Sequence, residues 1–498
     1  MEQKNLFRPG ARIYCVGIKG TGVCALAELM HNSGIIVSGS DIPEVFYTDT
    51  ILRELEIPFY ETFDASHIRD DFALIVHSAA YSDQNNPELA EARRRSIPTL
   101  KYSDALGLWS AAFDSSGIAG VHGKTTTTAI SGELARAFGL PAQILVGSAV
   151  AGFNGRSTLV LGGKYFIAET CEYRKHFLAF HPRRVVLTSV ESDHQDFFPD
   201  YNSIRDAFVE YCCLLDSGGQ LIYCADDAGA SDVAEILKKE NRDIEFIPYG
   251  FTASGAYRVE NYHVKNERAF FSIAAFDDEL SMRIPGRHQA LNAAAAFALC
   301  SALAAKEFSD GAADGKIDGI NEINNETRKQ AVKKELAEFR GSKRRCEILG
   351  EKKGILFMDD YGHHPTAIKT TLEGLRAFYP GRRIIVSFMS HTYTRTAALL
   401  DEFSGCFDNA DILFLHKIYA SAREQYSGGV NGKTLFEKVS ETPRFENSES
   451  IYYVEEPMDA FEIIKNILRE DDLFITMGAG NNWPLGLALY NYFGGNAE

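Results

Sequence analysis

The segment Gly120-Val121-His122-Gly123-Lys124-Thr125-Thr126-Thr127 constrains the fold more than any other part of the chain. Small residues, Ser115 to Ala119, lead into it, and the apolar-patterned Ala129–Ala135 follows. That order reads as strand, tight loop and helix, the form of a phosphate-binding loop. Backbone N–H groups at such a helix start point at phosphate oxygens, and the helix dipole favours negative charge there. Lys124, expected to be exposed, would reach the β- and γ-phosphates, and the Thr125 hydroxyl would bind Mg²⁺. ATP is therefore the expected ligand, with Gly120, His122, Gly123, Lys124, Thr125 and Thr126 around it. The spelling departs from G-x-x-x-x-G-K-[ST], because Ile118 stands five before Gly123 and the leading glycine is Gly120. A bare Gly-Lys-Thr can also be an ordinary helix start.

Composition bounds the rest. A length of 498 residues fits about three domains. A net charge of −17 argues against a general nucleic-acid or membrane-surface role. Nucleotide binding stays open to an acidic chain, since Mg²⁺ and local N–H groups supply the positive field. Nine cysteines without a CxxC pair fit free thiols in a reducing compartment, so a cytoplasmic location is expected. Met1–Leu6 lacks the apolar core of a signal peptide. No apolar run reads as long enough to span a bilayer.

The N-terminal part has the pattern of a doubly wound α/β unit. The strand Arg12–Val16 runs into Gly17-Ile18-Lys19-Gly20-Thr21-Gly22, and helical periodicity follows from Val23 to Ser33. A second strand, Ile35–Ser40, ends at Asp41, where a ribose or base contact would fall. A third, Ala73–His77, leads into Ser78, and Asn86-Pro87-Glu88 opens a helix. Two ligands compete here, a nicotinamide cofactor and another nucleotide such as a UDP-sugar. Lys19 breaks the G-x-G-x-x-G spacing and weakens the first. Glycines that merely make a tight turn are a third reading.

In the middle of the chain, Tyr165–Ala168 ends in Glu169-Thr170-Cys171-Glu172, and Val185–Val190 ends in Glu191-Ser192-Asp193-His194. Acidic residues and a histidine thus stand at the carboxyl ends of strands, where ligand sites gather in open α/β sheets. Mg²⁺ takes a few oxygen ligands plus substrate phosphates, which suits Glu169. His194 could hold a second cation or orient a phosphate. Solvated loop charges are the alternative. Further on, strands are expected at Ile355–Met358, Arg383–Phe388, Ile412–Leu415 and Leu473–Met477. Lys306–Asn325 reads as an insertion or linker, and Glu326–Glu338 as a charged helix.

The phosphate loop, the early G-x-x-G-x-G, Ile284–Ala293, Asp359-Asp360-Tyr361-Gly362-His363-His364-Pro365-Thr366 and His391-Thr392-Tyr393-Thr394-Arg395-Thr396 together resemble the Mur ligases, in order and over nearly the whole chain. The last two blocks are the most specific. They are similar to those of members that attach L-alanine to UDP-N-acetylmuramate. The resemblance implies an α/β protein of three domains. These are an N-terminal Rossmann-like UDP-binding domain (1–108), a central P-loop ATPase domain (109–338, with 306–325 the insertion) and a C-terminal Rossmann-like domain (339–498). It implies ATP and Mg²⁺, UDP-N-acetylmuramate and L-alanine as partners, no nucleic acid or membrane, and a monomer or homodimer. A relative that adds a preformed peptide would share most motifs. An NAD-dependent oxidoreductase or a non-catalytic nucleotide-binding regulator would explain fewer.

Residue roles follow from the same resemblance. Lys124 and Thr125 hold phosphate and metal, and Glu169 and His194 support the metal cluster. His288 and Asn292 lie at the adenine, though both could simply cap the alanine-rich helix. Asp360 and His363 face the acyl phosphate and amine, and Arg345 and Arg395 contact phosphate or a carboxylate. Tyr361, His391 and Arg395 form the amino-acid site. Gly17, Gly20, Thr21, Gly22, Ser40, Asp41, His77 and Ser78 form the UDP-sugar site. The chain departs from the family pattern at Thr392, at Asn481 and around Cys171, Tyr173 and Arg174. Some Mur ligases use a carbamylated lysine, but 195–237 contains no lysine, so none is expected. The double histidine His363-His364 could suggest zinc, yet no third ligand has metal spacing.

Overall fold

The computed structural model describes residues 6–310, 325–420, 424, 428–446 and 448–495. Three sheets follow one another along the chain. The first contains β1 (Arg12–Val16), β2 (Ile36–Ser40), β3 (Phe59–Tyr60), β4 (Leu74–His77) and β5 (Thr99–Lys101), all parallel in the order β3-β2-β1-β4-β5. Its helix Pro87–Arg94 starts where Asn86 accepts from the amides of Glu88 and Leu89, with Pro87 in the first turn. An asparagine cap followed by proline fixes a helix start locally.

The second sheet holds β6 (Asp114–Ala119), β7 (Ala142–Val150), β8 (Arg156–Val160), β9 (Tyr165–Glu169), β10 (Arg184–Leu187), β11 (Gly219–Cys224), β12 (Ile244–Gly250), β13 (Tyr257–Val264), β14 (Ala269–Ile273) and β15 (Phe276–Met282). Their order is β15-β14-β13-β12-β11-β10-β6-β9-β7-β8. The centre is parallel; β9, β10 and β11 are largely apolar, as strands covered on both faces are, while β6 is made of small residues. The third sheet, β16 (Glu347–Lys352), β17 (Ile355–Asp360), β18 (Arg383–Phe388), β19 (Ile412–Leu415), β20 (Ile451–Tyr453) and β21 (Asp472–Met477), runs β16-β17-β21-β18-β19-β20. Only its edge strand β16 is antiparallel.

Several sequence expectations need adjustment. The helix Tyr102–Ser110 runs through residue 108, so a break there would cut a helix; the chain leaves the first sheet between Ser110 and β6. β10 stops at Leu187 rather than Val190, because the Thr188 and Ser189 hydroxyls turn to the His122 carbonyl and brace the phosphate loop. Residues 306–310 finish the helix Arg287–Asp310. The rest of the expected insertion, 311–324, lies outside the described residues, as does most of the Met1–Leu6 segment. That same helix is long and apolar enough to cross a membrane by length and composition alone, contrary to the sequence reading. Most of its alanines and Phe297 are buried, and Phe297 packs on Phe138 of the helix Lys124–Phe138, so it is a core helix of the middle domain.

The topology decides where chemistry gathers. The phosphate loop leaves β6, Thr170–Glu172 leaves β9, and Thr188–His194 leaves β10. Tyr361–His364 leaves β17, Ser390–Arg395 leaves β18, and Gly478–Asn482 leaves β21. All are carboxyl ends of parallel strands, and the two sets meet across one seam. Lys343 donates its amide to the Ala149 carbonyl, and Val150 bridges Ser342.

Candidate active site

Gly123 caps the helix Lys124–Phe138 with φ +79°, and Gly120 has φ +137°. A Cβ on Gly120 would lie 2.2 Å from Thr188 Oγ1, and one on Gly123 would lie 2.6 Å from Asn292 Oδ1. Both glycines are needed for conformation and for close approach. Lys124 is not the exposed residue expected: its side chain is 13% accessible, and Nζ reaches Glu172 Oε2 at 2.9 Å as well as the Gly120 carbonyl. Burial alone would lower the ammonium. The Glu172 carboxylate, with Cys171 and Glu169 behind it, reverses this and holds the group above its ordinary value.

Carboxylates face the loop from β9. Thr125 Oγ1 donates to Glu169 Oε1 at 3.1 Å, and the Gly147 amide donates to Glu169 Oε2 at 2.8 Å. His194 Nε2 lies 3.4 Å from Glu172 Oε1, and His194 itself has φ +54°. Burial would raise the Glu172 carboxyl, but Lys124 and His194 outweigh it and hold it low. A hydroxyl, two carboxylates and an imidazole edge the phosphate loop, a donor set that fits a hard divalent cation beside a nucleotide. His288 and Asn292 also turn toward the loop. Asn292 Oδ1 accepts from Thr127 Oγ1, and His288 Nε2 meets Gln289 Nε2 at 2.9 Å, leaving His288 Nδ1 without a hydrogen-bond partner among the described residues. Burial, with His122 nearby, pushes His288 down to about 4. A neutral imidazole with one orphan nitrogen fits an incoming adenine.

The C-terminal domain forms the opposite wall. The guanidinium carbons of Arg344 and Arg345 lie 5.2 and 5.1 Å from the ring centre of Tyr361. Arg345 Nη2 reaches Thr125 Oγ1 at 3.5 Å across the seam. His363 Nδ1 donates to the Tyr361 carbonyl at 2.9 Å, which leaves Nε2 as an acceptor. Burial and the Arg395 cation hold its pKa well below the ordinary value. The His391 ring stands 6.0 Å from that of His363. Two expected roles need correction. Asp360 is buried and accepts from the Cys346 and Gly362 amides at 2.8 and 2.7 Å, so it shapes the turn instead of facing a reacting phosphate. Arg395 is buried against Asp193 of the middle domain, with Nε and Nη2 both 2.8 Å from Oδ1, and Nη1 donates to the His391 carbonyl. Those donors are not open to a free carboxylate.

In the N-terminal domain Gly17, Gly20, Thr21, Gly22, His77 and Ser78 meet at the carboxyl ends of β1 and β4. Ser40 and Asp41 belong to the same edge, but their polar atoms are committed. Ser40 Oγ donates to the buried Glu88, which also accepts from Tyr14 and faces His67 Nδ1 at 2.7 Å. Asp41 accepts from the Lys19 and Ile42 amides at 2.7 and 2.9 Å, so it buttresses the loop and does not present its oxygens to a ribose.

Three family models match in succession: "Mur ligase family, catalytic domain" at 12–114, "Mur ligase middle domain" at 118–300 and "Mur ligase, glutamate ligase domain" at 344–480. The chain belongs to the Mur ligase family. This Mur ligase is 48% identical over 484 residues to the UDP-N-acetylmuramate–L-alanine ligase of Treponema pallidum (strain Nichols), covering 97% of each chain. It is 39% identical over 477 residues to the enzyme of that name from Borreliella afzelii (strain PKo), covering 95% of this chain and 97% of that one. Among solved structures, UDP-N-acetylmuramate-alanine ligase from Thermotoga maritima has a TM-score of 0.72 at 23% identity, covering 98% of this chain and all of that one. A murein peptide ligase from Psychrobacter arcticus has a TM-score of 0.62 at 20% identity, covering 98% of this chain and all of that one. These two likenesses bear on fold.

Sequence reasoning gave no specific role to several residues that this Mur ligase places at the site. Glu172 and not only Glu169 faces Lys124 and His194; its position three residues past the end of a buried strand was the available signal. Asp193, beside His194, pairs with Arg395. Arg344 Nε binds Asp359 Oδ2 at 2.8 Å and its Nη2 reaches the Gly478 carbonyl, which ties the end of β17 to the loop after β21. Glu191 and His364 meet His122, a grouping that no spacing reveals.

Proposed function

We propose that this Mur ligase joins the amine of L-alanine to the carboxylate of UDP-N-acetylmuramate at the expense of ATP, the first peptide-stem step of peptidoglycan biosynthesis, acting in the cytoplasm. The observation that carries this reading is the 48% identity, end to end, with a UDP-N-acetylmuramate–L-alanine ligase. The seam geometry supports it, because a phosphate loop faces a histidine- and arginine-rich wall across one cleft. The division of labour proposed is UDP-sugar at 1–108, ATP at 109–338 and amino acid at 339–498.

A carboxylate oxygen attacks the γ-phosphorus, ADP leaves, and an acyl phosphate forms. The amine then attacks the acyl carbon, and inorganic phosphate departs. Positioning and charge stabilisation do most of this work. Lys124 exchanges the Gly120 carbonyl and Glu172 for phosphate oxygens. Arg345 follows charge on the transferred group from the opposite wall. His363, neutral and with Nε2 bare, accepts a hydrogen bond from the incoming amine. Thr125, Glu169, Glu172 and His194 would hold Mg²⁺, which neutralises phosphate charge when bound. The test is phosphate release from ATP with UDP-N-acetylmuramate and, in turn, L-alanine, glycine, L-serine and a tripeptide. Turnover with L-alanine far above the tripeptide is expected; the reverse order would make the enzyme a peptide-recycling ligase.

A further inference from the structure

His122, Glu191 and His364 are far apart in sequence and come from three different loops. His122 sits inside the phosphate loop, Glu191 follows β10, and His364 caps the helix Pro365–Phe378 of the C-terminal domain. Their ligating atoms all lie within 4.8 Å of one another. His122 Nε2 meets Glu191 Oε1, and His364 Nδ1 lies 3.5 Å from the same oxygen.

Hydrogen bonds behind His364 and Glu191 orient two of these groups. His364 Nε2 lies 3.2 Å from the Ser192 carbonyl, which can only accept, so Nε2 carries the hydrogen. In the neutral ring Nδ1 is then a lone pair aimed at a carboxylate oxygen. The only hydrogen offered to Nδ1 among the described residues is the Thr366 amide at 3.4 Å, a long contact. The second Glu191 oxygen accepts from Thr366 Oγ1 at 3.0 Å. A histidine donating its far nitrogen to a carbonyl, and a carboxylate steadied by a hydroxyl, are the outer hydrogen bonds that orient metal ligands.

We propose that His122, Glu191 and His364 form a site for a divalent transition metal of the zinc type, distinct from the Mg²⁺ set, which ties the phosphate loop to the C-terminal domain. Two imidazoles and one carboxylate, with a fourth position left for water or a phosphate oxygen, match zinc-type coordination. Mg²⁺ takes mostly oxygen ligands and retains its waters, so a set with two imidazoles and a single carboxylate suits it less than the oxygen-rich set around Thr125. Zinc-type ligand pairs stand roughly 3.3 Å apart, from bonds of about 2.0 Å in a tetrahedron, so small side-chain rotations close the set. The two histidines belong to different domains, so the bound ion holds the seam shut.

The test uses the full chain, stripped of metal, in excess Mg²⁺ and without nucleotide. Co²⁺ is titrated while its visible absorption and the thermal midpoint are followed. One equivalent should bind with a low-coordinate spectrum and raise the midpoint. His364→Gln should weaken binding by at least about 100-fold and abolish the rise. Thr366→Val should weaken it about 10- to 100-fold, the usual loss for an outer hydrogen bond. If His364→Gln fails to fold, Glu191→Gln carries the same expectation. Absence of binding at millimolar Co²⁺ overturns the site. So does binding that survives His364→Gln and is lost in Glu172→Gln, which would put the ion in the Mg²⁺ set.

Discussion

Arg395 of the C-terminal domain and Asp193 of the middle domain form an ion pair across the seam, each side chain about one-twentieth exposed. Burial would raise the Asp193 carboxyl, but the guanidinium outweighs it and holds the group well below the usual carboxylate range. The same guanidinium donates to the His391 carbonyl. Arg395 therefore joins the domain that carries His194 to the wall that carries His363 and His391.

Asp193→Asn should leave a buried guanidinium without its counter-charge. Breaking one side of a buried pair costs about 3–5 kcal/mol. Arg395→Lys keeps the charge but loses the planar fork, and should cost about 1.5–3 kcal/mol, the range for a hydrogen bond to a charged group. The L-alanine KM should rise far more than the ATP KM in both. Because the two residues act as one strut, the double variant should be little worse than the poorer single. Additive losses in a double-mutant cycle would show that the pair is not the shared cause.

Lys124→Ala should abolish ligation and also destabilise the fold, since it strands the buried Glu172. Adding Glu172→Gln should restore most of the lost stability, about 3–5 kcal/mol if the pair behaves as other buried pairs do, and none of the activity. Urea unfolding and phosphate release, measured on both variants, separate the two effects. A Lys124→Ala chain as stable as the parent would refute the pairing.

The fold was legible where local chemistry decides structure. The strands Arg383–Phe388 and Ile412–Leu415, the helix Glu326–Glu338 and the Asn86-Pro87 helix start all stand where the sequence places them, because apolar runs and caps need no distant partner. Role assignments at strand ends were less legible. Asp41, Asp360 and Arg395 have the right residue type beside the right loop, yet each is spent on partners that only the tertiary structure supplies: the Lys19 amide, the Cys346 amide and Asp193. The missing third metal-type ligand beside His363-His364 was invisible for the same reason. Glu191 is 173 residues from His364 and His122 is 242, distances that no motif spacing encodes.

Lys19, which breaks the glycine pattern, is buried. Its ammonium donates to the Ile42 and Glu44 carbonyls at 3.0 Å each and lies 3.5 Å from Asp49 and 3.2 Å from Glu61. It thereby clamps the segment that follows Asp41 against the glycine turn. Lys19→Met should raise the UDP-N-acetylmuramate KM at least about tenfold, equivalent to about 1.4 kcal/mol, with the ATP KM unchanged. Calorimetry on the parent chain should detect UDP and not NAD. NAD binding without UDP binding would reverse the nucleotide assigned to this domain.

His416 is buried just past the end of β19, where Ser387 Oγ lies 2.8 Å from Nε2 and Nδ1 donates to the Val454 carbonyl at 2.8 Å. A protonated ring could not accept from Ser387. Burial pushes this histidine down to about 4, against about 6.5 for an unfolded chain. Between those values the unfolded state binds a proton that the folded state does not. Stability therefore falls as pH drops from about 6.5 to about 4, and the loss is absent above that window. The full shift is worth on the order of 3 kcal/mol. His416→Gln should remove this share of the acid sensitivity, although His288 and the carboxylates keep theirs. The check is urea unfolding of the C-terminal domain at pH 7 and pH 5, followed through Trp483 in a Trp109→Phe background. The variant should lose less stability than the parent between the two pH values. Equal losses would mean that His416 keeps an ordinary titration in the folded protein.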